Sequence, residues 1–405
     1  MNVFIADKLP GWCTSKIEAL GAKAVTKSGL KDAELAAAVK AADAGVLIVR
    51  STKVTKAVID GAGGLSLIIR AGAGVDTIDT DHAAARGIYV ANCPGTNSAA
   101  VAELAIGLML ALDRRIVDNA SDLRAGKWAK KEYSKADGIK GKTFGVLGVG
   151  AIGKLAIDRA KALQMKVIAW SRSLTPAKAA ELGIGFCATP MDVAKQADVV
   201  SLHLASSKDT KGLVSAAFLA AMKPKAMLIN TARGDVVDQA ALVEALKAGK
   251  LRAGLDVYAG EPGAADETFA SPLRDVPNWI GTHHIGASTD QAQDETAAMA
   301  VDILAGFLRT GEVANCVNMA PPAADLHGGC RFIVRHLDKV GVLAGVLAKL
   351  RDDGINVEEM ENRIFRGALA AVCYMTLSKR PSPAVLSALA GDANIIRAIV
   401  TAPAE

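Results

Sequence analysis

The sequence predicts an α/β protein of two doubly wound parallel-sheet domains followed by a small α+β block, and three observations support this fold class. Short apolar runs alternate with helix-like stretches from residue 2 to Val257, which is typical of parallel sheets flanked by helices. A glycine-rich turn joins one apolar run to the helix that follows it. From Arg331 the order becomes strand, helix, two strands, helix and strand, the ferredoxin-like plan.

Composition limits the class of protein. A chain of 405 residues predicts two to three domains, and 51% apolar with 22% charged residues are globular values. The formal charge of +5 suits a small anionic substrate. Without a concentrated basic patch, it does not favour a nucleic-acid partner.

The six cysteines are scattered and form no C-x-x-C pair. This spacing argues against a metal site and a disulfide framework, so we expect reduced thiols and a cytoplasmic protein. The longest apolar segment, Ala99 to Leu112, is interrupted by Glu103 and is too short to span a membrane.

The first block contains five strand-like runs, at residues 2–6, 22–25, 45–49, 65–69 and 87–90, with helix-like stretches at 31–42 and 55–62. Open parallel sheets bind ligands in the loops that follow their strands. One such loop carries Arg50 and Lys53, which could bind an anionic group, although Lys53 could equally be a surface residue. Another, Arg70 to Asp76, includes Ala73 and Gly74 and offers free backbone N–H groups to a carboxylate.

A long Ala/Leu/Ile/Met-rich helix is predicted from Ser98 to about Leu112, as a connector between domains. Beyond it, the run Thr143 to Leu147 precedes Gly148, Gly150 and Gly153 in G-x-G-x-x-G spacing. A helix-like segment and a second apolar run, Lys166 to Trp170, complete a β-α-β dinucleotide-binding unit. The glycines permit a tight turn, approach of a pyrophosphate and close packing of helix on strand.

The residue after the second run predicts which dinucleotide is used. An acidic residue there would bind the ribose hydroxyls of NAD, but the chain has Ser171 and Arg172. A hydroxyl and a guanidinium can bind a 2′-phosphate, so we expect NADP(H) to be used at least as well as NAD(H). The alternative is that Arg172 points into solvent and NAD is used regardless.

Further strand-like runs at 197–204, 226–230 and 252–257 extend the second sheet, and a helix is predicted from Thr289 to Leu308. Residues suited to oxidation of an alcohol follow the strands of this half. Arg233 can bind a carboxylate through its planar guanidinium. His284 titrates near neutral pH, and Glu261 can fix its tautomer and raise its pKa.

The ordered motifs resemble the D-isomer-specific 2-hydroxyacid dehydrogenase family over residues 1 to about 320. They are the glycine turn, Ser201-Leu-His203, Asn230-Thr-Ala-Arg233-Gly-Asp-Val-Val-Asp238, Leu255-Asp256-Val-Tyr-Ala-Gly-Glu261-Pro262 and His284-Ile-Gly286-Ala-Ser-Thr289. The resemblance implies that Arg233 orients the substrate and that Glu261 and His284 form an acid/base pair. Implied cofactor contacts are Ala151, Ile152, Ser171, His203, Thr231, Ala232, Asp256, Ile285 and Gly286. A purely structural role for His203 is an equal alternative.

The resemblance also implies the domain plan. Residues 1–96 and 288–320 would form a flavodoxin-like substrate-binding domain, 97–287 an NAD(P)-binding Rossmann domain, 321–330 a linker and 331–405 a third domain. Asn97, in the motif Pro94-Gly-Thr-Asn97, is an implied substrate contact. Family members usually have proline before the catalytic histidine, but this chain has His283. We therefore weigh both imidazoles and favour His284, because Ile285-Gly286 fixes the register.

The first loop motifs, Arg70 to Asp79 and Pro94 to Glu103, are similar to those of family members that oxidise 3-phospho-D-glycerate to 3-phosphohydroxypyruvate, the first step of L-serine biosynthesis. That activity and a homodimer or homotetramer are the implied expectation. Reduction of glyoxylate or hydroxypyruvate with NADPH is the alternative within the family. A cofactor-sensing corepressor without turnover is a remote one, disfavoured by the intact Arg233, Glu261 and His284.

The final block resembles an ACT domain, a regulatory module whose paired copies hold an amino-acid effector. The matching positions are His336, Asp338 and Asn356, where Asp338 stands at a site that is often asparagine. The resemblance implies L-serine as a feedback effector. The alternative is an assembly module that has lost its ligand.

Overall fold

A computed structural model of the chain describes residues 1–262, 268–319, 329–365 and 367–401. Two compact units are present, Met1–Val317 and Asn318–Glu405. Most of the predicted linker, residues 321–328, lies outside the described residues.

The first sheet has five parallel strands, in the order β2-β1-β3-β4-β5. Its strands are β1 (Asn2–Ile5), β2 (Lys23–Thr26), β3 (Ala44–Val49), β4 (Leu67–Arg70) and β5 (Tyr89–Asn92). The helices between them are α1 (Trp12–Ala19), α2 (Asp32–Ala41), α3 (Lys56–Gly61) and α4 (Thr80–Ala85). This is the flavodoxin-like order, so the predicted fold of the first block is confirmed.

Three helices follow the first sheet: α5 (Ser98–Arg114), α6 (Ile116–Arg124) and α7 (Lys130–Tyr133). The sequence predicted only the first of them. Helix α5 buries an apolar face that includes Ala102, Ala105 and Met109 against the second sheet. No residue of α6 is buried, and its apolar residues Ile116, Ala120 and Leu123 span only about two turns, too short a stretch for a clear periodic signal.

The second sheet has seven parallel strands, in the order β12-β11-β10-β9-β6-β7-β8. They are β6 (Thr143–Leu147), β7 (Lys166–Trp170), β8 (Gly185–Phe186), β9 (Val199–Leu202), β10 (Met227–Asn230), β11 (Arg252–Leu255) and β12 (Trp279–Gly281). Its order reverses between β6 and β9, as in dinucleotide-binding folds. The short edge strands β8 and β12 were not predicted, because two or three residues carry no periodic signal.

Helices cover both faces of the second sheet: α8 (Ala151–Ala162), α9 (Pro176–Glu181), α10 (Pro190–Gln196), α11 (Ala216–Ala221) and α12 (Gln239–Lys247). Side-chain caps fix several of their starts; Thr189 and Asp192, for example, form a reciprocal capping box on α10. Helix α13 (Asp290–Thr310) then returns to the first sheet, where Ala300, Ile303 and Leu304 are buried.

The second unit has four antiparallel strands, in the order β14-β15-β13-β16. Its elements are β13 (Cys330–Leu337), α14 (Val342–Asp352), β14 (Val357–Ile364), β15 (Ala370–Leu377), α15 (Pro383–Ala390) and β16 (Ile395–Thr401). The order of elements and the pairing are ferredoxin-like, as predicted. Within the described part of the chain, no helix combines the length and apolar character needed to cross a membrane.

Candidate active site

The carboxyl ends of strands from both sheets face one cleft within Met1–Val317. This is where open α/β sheets bind ligands, because the loops there are free to carry side chains. Residues that line the cleft include Arg50, Arg70, Ala73, Gly74, Asn97, Ile152, Thr231, Arg233, Asp256, His284, Gly286, Gln293 and Thr296. Residues predicted separately from distant motifs therefore lie together.

His284 and Glu261 form a direct pair. The imidazole Nδ1 lies 2.7 Å from Glu261 Oε2, and the Tyr258 backbone N–H donates to the other oxygen, Oε1, at 2.9 Å. The hydrogen bond to Glu261 raises the pKa of His284, which burial alone would lower. Burial raises the pKa of Glu261, but the bonds from His284 and Tyr258 outweigh it and leave that pKa lowered. Charge separation across the pair is therefore favoured.

Arg233 reaches across the cleft to the glycine-rich loop. Its Nε and Nη2 donate to Asp76 Oδ2 at 3.2 and 3.1 Å, and Nη1 donates to the Ala232 carbonyl oxygen at 2.8 Å. A Cβ at Gly74 would lie only 2.4 Å from Nη2. Glycine at position 74 therefore lets the guanidinium lie against the loop backbone.

Arg50 follows β3 and Arg70 ends the neighbouring parallel strand β4, and both residues line the same cleft. The Arg50 Nη1 donates to Gln293 Oε1 at 2.9 Å. The Nε of Arg70 is buried and has no hydrogen-bond partner among the described residues. Burial, and then the nearby Arg233, lower the pKa of Arg70. A half-buried guanidinium with an unpaired Nε suits an anionic ligand.

Arg70 was not predicted as a site residue, because in the sequence it marks only the start of a loop. The sequence did contain a signal for Arg70, because it lies at the carboxyl end of a strand, as Arg50 does: Arg70 ends β4, and Arg50 follows β3. Lys53 was selected, yet it is exposed and is not among the residues that line the cleft. The structure therefore brings Arg70, rather than Lys53, beside Arg50.

The glycine turn has the geometry that a dinucleotide needs. Gly148 has φ +100°, and a Cβ there would meet the His203 carbonyl oxygen at 2.3 Å. A Cβ at Gly153 would meet the Gly148 oxygen at 2.0 Å, whereas nothing lies within 4 Å of the Cβ position at Gly150. Gly150 also caps the 12-residue helix α8, whose first N–H groups suit a pyrophosphate.

Two unpaired polar atoms support the fit of a cofactor. Thr231 Oγ1 and His203 Nδ1 are buried and have no partner among the described residues. Thr231 lines the cleft. The other nitrogen of His203, Nε2, lies 3.0 Å from Ser201 Oγ, and burial lowers the pKa of His203 to about 4. The imidazole is therefore neutral at pH 7 and acts through hydrogen bonds.

The residues after β7 are open to solvent. Ser171 is half-buried, and Arg172 is exposed and pairs with Asp209 at 3.3 Å. With both side chains 73% exposed, such a pair contributes little free energy and can exchange partners readily.

The three candidate effector positions do not meet within one C-terminal unit. His336 is buried, with Nε2 3.2 Å from Asn362 Oδ1, and the exposed Asp338 follows the same strand. Asn356 precedes β14, and the first residue of β14 pairs with Leu377 of β15. Leu377 also pairs with Cys330 of β13, so Asn356 lies near the Cys330 end of the sheet. The strand rise separates Asn356 from His336 by about 20 Å along the sheet.

Comparison with known proteins gives a consistent result. The model of the D-isomer specific 2-hydroxyacid dehydrogenase NAD binding domain matches residues 106–286. A D-3-phosphoglycerate dehydrogenase of Methanocaldococcus jannaschii is 36% identical over 91% of this chain and 68% of that protein. Its counterpart in Mycobacterium tuberculosis is 37% identical over 96% and 71%. A glyoxylate reductase of Thermococcus litoralis is 38% identical over 69% and 85%.

Solved structures agree with these relatives. A protein of Thermus thermophilus is 36% identical, with TM-score 0.71 over 78% of this chain and all of that chain. The NAD⁺-bound 3-phosphoglycerate dehydrogenase of Entamoeba histolytica is 25% identical, with TM-score 0.66 over 79% and 99%. An acyclic imino acid reductase with NADPH and D-Arg is 27% identical, with TM-score 0.69 over 78% and 100%.

Proposed function

Because the chain belongs to the D-isomer-specific 2-hydroxyacid dehydrogenase family, we propose that it oxidises 3-phospho-D-glycerate to 3-phosphohydroxypyruvate with NAD(P). It would then catalyse the first step of L-serine biosynthesis. The division into a substrate-binding lobe of residues 1–96 and 288–320 and a cofactor-binding lobe of residues 97–287 is part of this proposal. A location in the cytoplasm is also part of this proposal.

The observation that carries the choice of substrate is the charge of the cleft. Arg50, Arg70 and Arg233 line one cavity, and in the described part of the chain Asp76 forms its salt bridge with Arg233. The carboxylate of Asp256, which also lines it, already accepts three hydrogen bonds from the protein. A substrate with both a carboxylate and a phosphate pairs all three guanidinium groups. A monoanionic acid would leave at least one of these three half-buried guanidinium groups without an anionic ligand.

The roles of the residues follow from their positions. Arg233 binds the carboxylate and polarises the oxygen on C2, while Arg50 and Arg70 bind the phosphate. His284 accepts the hydroxyl proton, and Glu261 stabilises the imidazolium that results. Ala73 and Gly74 offer backbone groups to the carboxylate, with Asn97 beside them. A nicotinamide cofactor held at the glycine turn would supply the acceptor for the hydride from C2.

Steady-state kinetics with three acids tests the substrate. We expect kcat/KM for the reduction of 3-phosphohydroxypyruvate to exceed that for hydroxypyruvate and glyoxylate by about 10²-fold or more, since the phosphate adds a charge-assisted contact. The second candidate function is reduction of glyoxylate or hydroxypyruvate, and the similarity to a glyoxylate reductase supports it. A higher kcat/KM for glyoxylate than for the phosphorylated acids would establish it instead.

The cofactor preference needs its own measurement. We expect kcat/KM with NADP(H) to equal or exceed that with NAD(H), because no acidic side chain stands at Ser171. Replacing Ser171 with Asp should lower kcat/KM with NADP(H) by about 10- to 100-fold, since a carboxylate repels the 2′-phosphate. Ser171→Asn is the uncharged control. A strong preference of the wild-type enzyme for NAD(H) would refute this expectation.

For the C-terminal unit we propose an ACT-like regulatory role with L-serine as the effector. The separation of Asn356 from His336 means that one copy cannot complete the site, so serine binding requires two paired modules. A homodimer or homotetramer would supply them.

A further inference from the structure

The segment that carries His284 adopts an unusual backbone conformation. His284 has φ +53°, in the left-handed region that residues other than glycine enter rarely, although histidine does so more often than most. Such conformations persist where surrounding contacts hold them. The contacts of this turn therefore decide where the imidazole lies.

Asp256 makes nearly all of those contacts. The residue is 1% exposed, and its carbonyl oxygen accepts from the His284 N–H at 2.8 Å. Its carboxylate accepts from the next two N–H groups, with Oδ1 2.8 Å from the Ile285 nitrogen and Oδ2 2.9 Å from the Gly286 nitrogen. Three consecutive N–H groups thus bind one residue at the end of the neighbouring strand.

Thr282 orients that carboxylate. Its Oγ1 donates to Asp256 Oδ1 at 2.6 Å. Because a hydroxyl has only one proton to donate, this bond takes the whole donor capacity of the side chain. The backbone of Thr282 is itself held on both sides: its N–H donates to the Leu255 carbonyl oxygen at 2.9 Å, and its carbonyl oxygen accepts from the Tyr258 hydroxyl at 2.8 Å. The threonine is therefore a fixed donor.

On this geometry we propose that Thr282 is a positioning residue for the acid/base pair. Its hydroxyl fixes the Asp256 carboxylate, which holds the left-handed turn and so presents the His284 imidazole to Glu261. The chain has His283, an exposed residue, between Thr282 and His284. Because position 283 lacks the φ restriction that a proline ring would impose, the turn depends on these hydrogen bonds.

Removing the hydroxyl has a specific consequence. Without it, Asp256 Oδ1 loses a charge-assisted bond, and the carboxylate can rotate away from Ile285 and Gly286. The turn then relaxes, and the imidazole moves from Glu261. Among the described residues, the charged groups that shift the pKa of His284 are Glu261 and Asp256, which raise it, and Arg233, which lowers it. Loss of the Glu261 contact therefore moves the pKa of His284 down.

The test compares Thr282→Val, which keeps the shape without the hydroxyl, with Thr282→Ser, which keeps the hydroxyl. We expect Thr282→Val to lower kcat by about 10- to 100-fold, the effect of a small misplacement of a catalytic group. We also expect the pKa of His284, followed by NMR of its imidazole and assigned with His284→Asn, to fall. Thr282→Ser should restore both. If Thr282→Val does not fold, Thr282→Ala removes the hydroxyl without placing a second methyl group against Asp256.

The kinetic readout rests on the proposed function, but the NMR titration does not. A wild-type protein without dehydrogenase turnover would refute the function and leave the titration to decide the role of Thr282. Three results would overturn the positioning role: an unchanged His284 titration in Thr282→Val, a loss of melting temperature with kcat intact, or equal defects in the Val and Ser variants.

Discussion

Replacing His284 with Asn should lower kcat by about 10²- to 10⁴-fold, the range for loss of a positioned general base. Asparagine keeps a polar side chain that tolerates the left-handed backbone, so the turn should survive. The matched control is His283→Asn. His283 is exposed and does not line the cleft, so its replacement should leave kcat close to that of the wild type. A larger loss from His283→Asn than from His284→Asn would reverse the assignment of the base.

The pH dependence of proton transfer to His284 follows from its pairing with Glu261. Oxidation requires a neutral His284 to accept the proton, and the bond to Glu261 raises its pKa. The value of kcat/KM for oxidation should therefore rise with pH through a pKa above the ordinary value of about 6.5, and that for reduction should fall through the same pKa. In Glu261→Gln the pKa seen in both pH profiles should move to lower pH, because the negative charge that stabilises the imidazolium is gone. An unchanged pKa in the pH profiles of this variant would show that a group other than His284 titrates.

Replacing Arg233 with Gln should lower kcat/KM by about 10²- to 10³-fold, since the substrate carboxylate loses a charged, two-pronged partner. Arg233→Lys is the informative comparison, because it keeps the charge but not the planar donor geometry. We expect it to recover only part of the loss. Cofactor affinity, measured separately by quenching of protein fluorescence, should change little in either variant.

A loss confined to cofactor affinity, with kcat/KM for the acid unchanged at saturating cofactor, would contradict this role of Arg233. The free protein supports the carboxylate assignment, because the guanidinium already binds one carboxylate, that of Asp76. Substrate binding would replace or extend this contact across the cleft. Because Asp76 is 61% exposed, its pairing with Arg233 is screened and readily exchanged.

Much of the fold could be predicted because its buried strands are apolar and its helices lie between them in regular alternation. Both parallel sheets and the ferredoxin-like block follow from that periodicity. The exposed helix α6 and the short strands β8 and β12 could not be predicted, since local composition does not mark them. Their place depends on pairing with distant neighbours.

The site was predictable to the extent that its residues lie in motifs. Arg233, Glu261 and His284 follow separate strands, and parallel topology brings strand ends to one edge. Arg70 and Thr282 were missed because their roles depend on contacts rather than on residue type. The position of Arg70 at the end of a strand becomes informative only when the structure shows the side chain half-buried beside Arg233. A threonine before two histidines carries no chemical signal until the structure shows Thr282 against Asp256.

The central claim is that three guanidinium groups in one cleft select a phosphorylated 2-hydroxy acid for oxidation at C2. Its most direct test is the rate of reduced-cofactor formation from 3-phospho-D-glycerate beside that from D-glycerate, which lacks only the phosphate, in the wild type and in Arg50→Gln. We expect the wild type to favour the phosphorylated acid by about 10²-fold or more in kcat/KM, and Arg50→Gln to remove most of that preference while leaving D-glycerate unaffected. No turnover of either acid, or equal kcat/KM for both in the wild type, would contradict the claim.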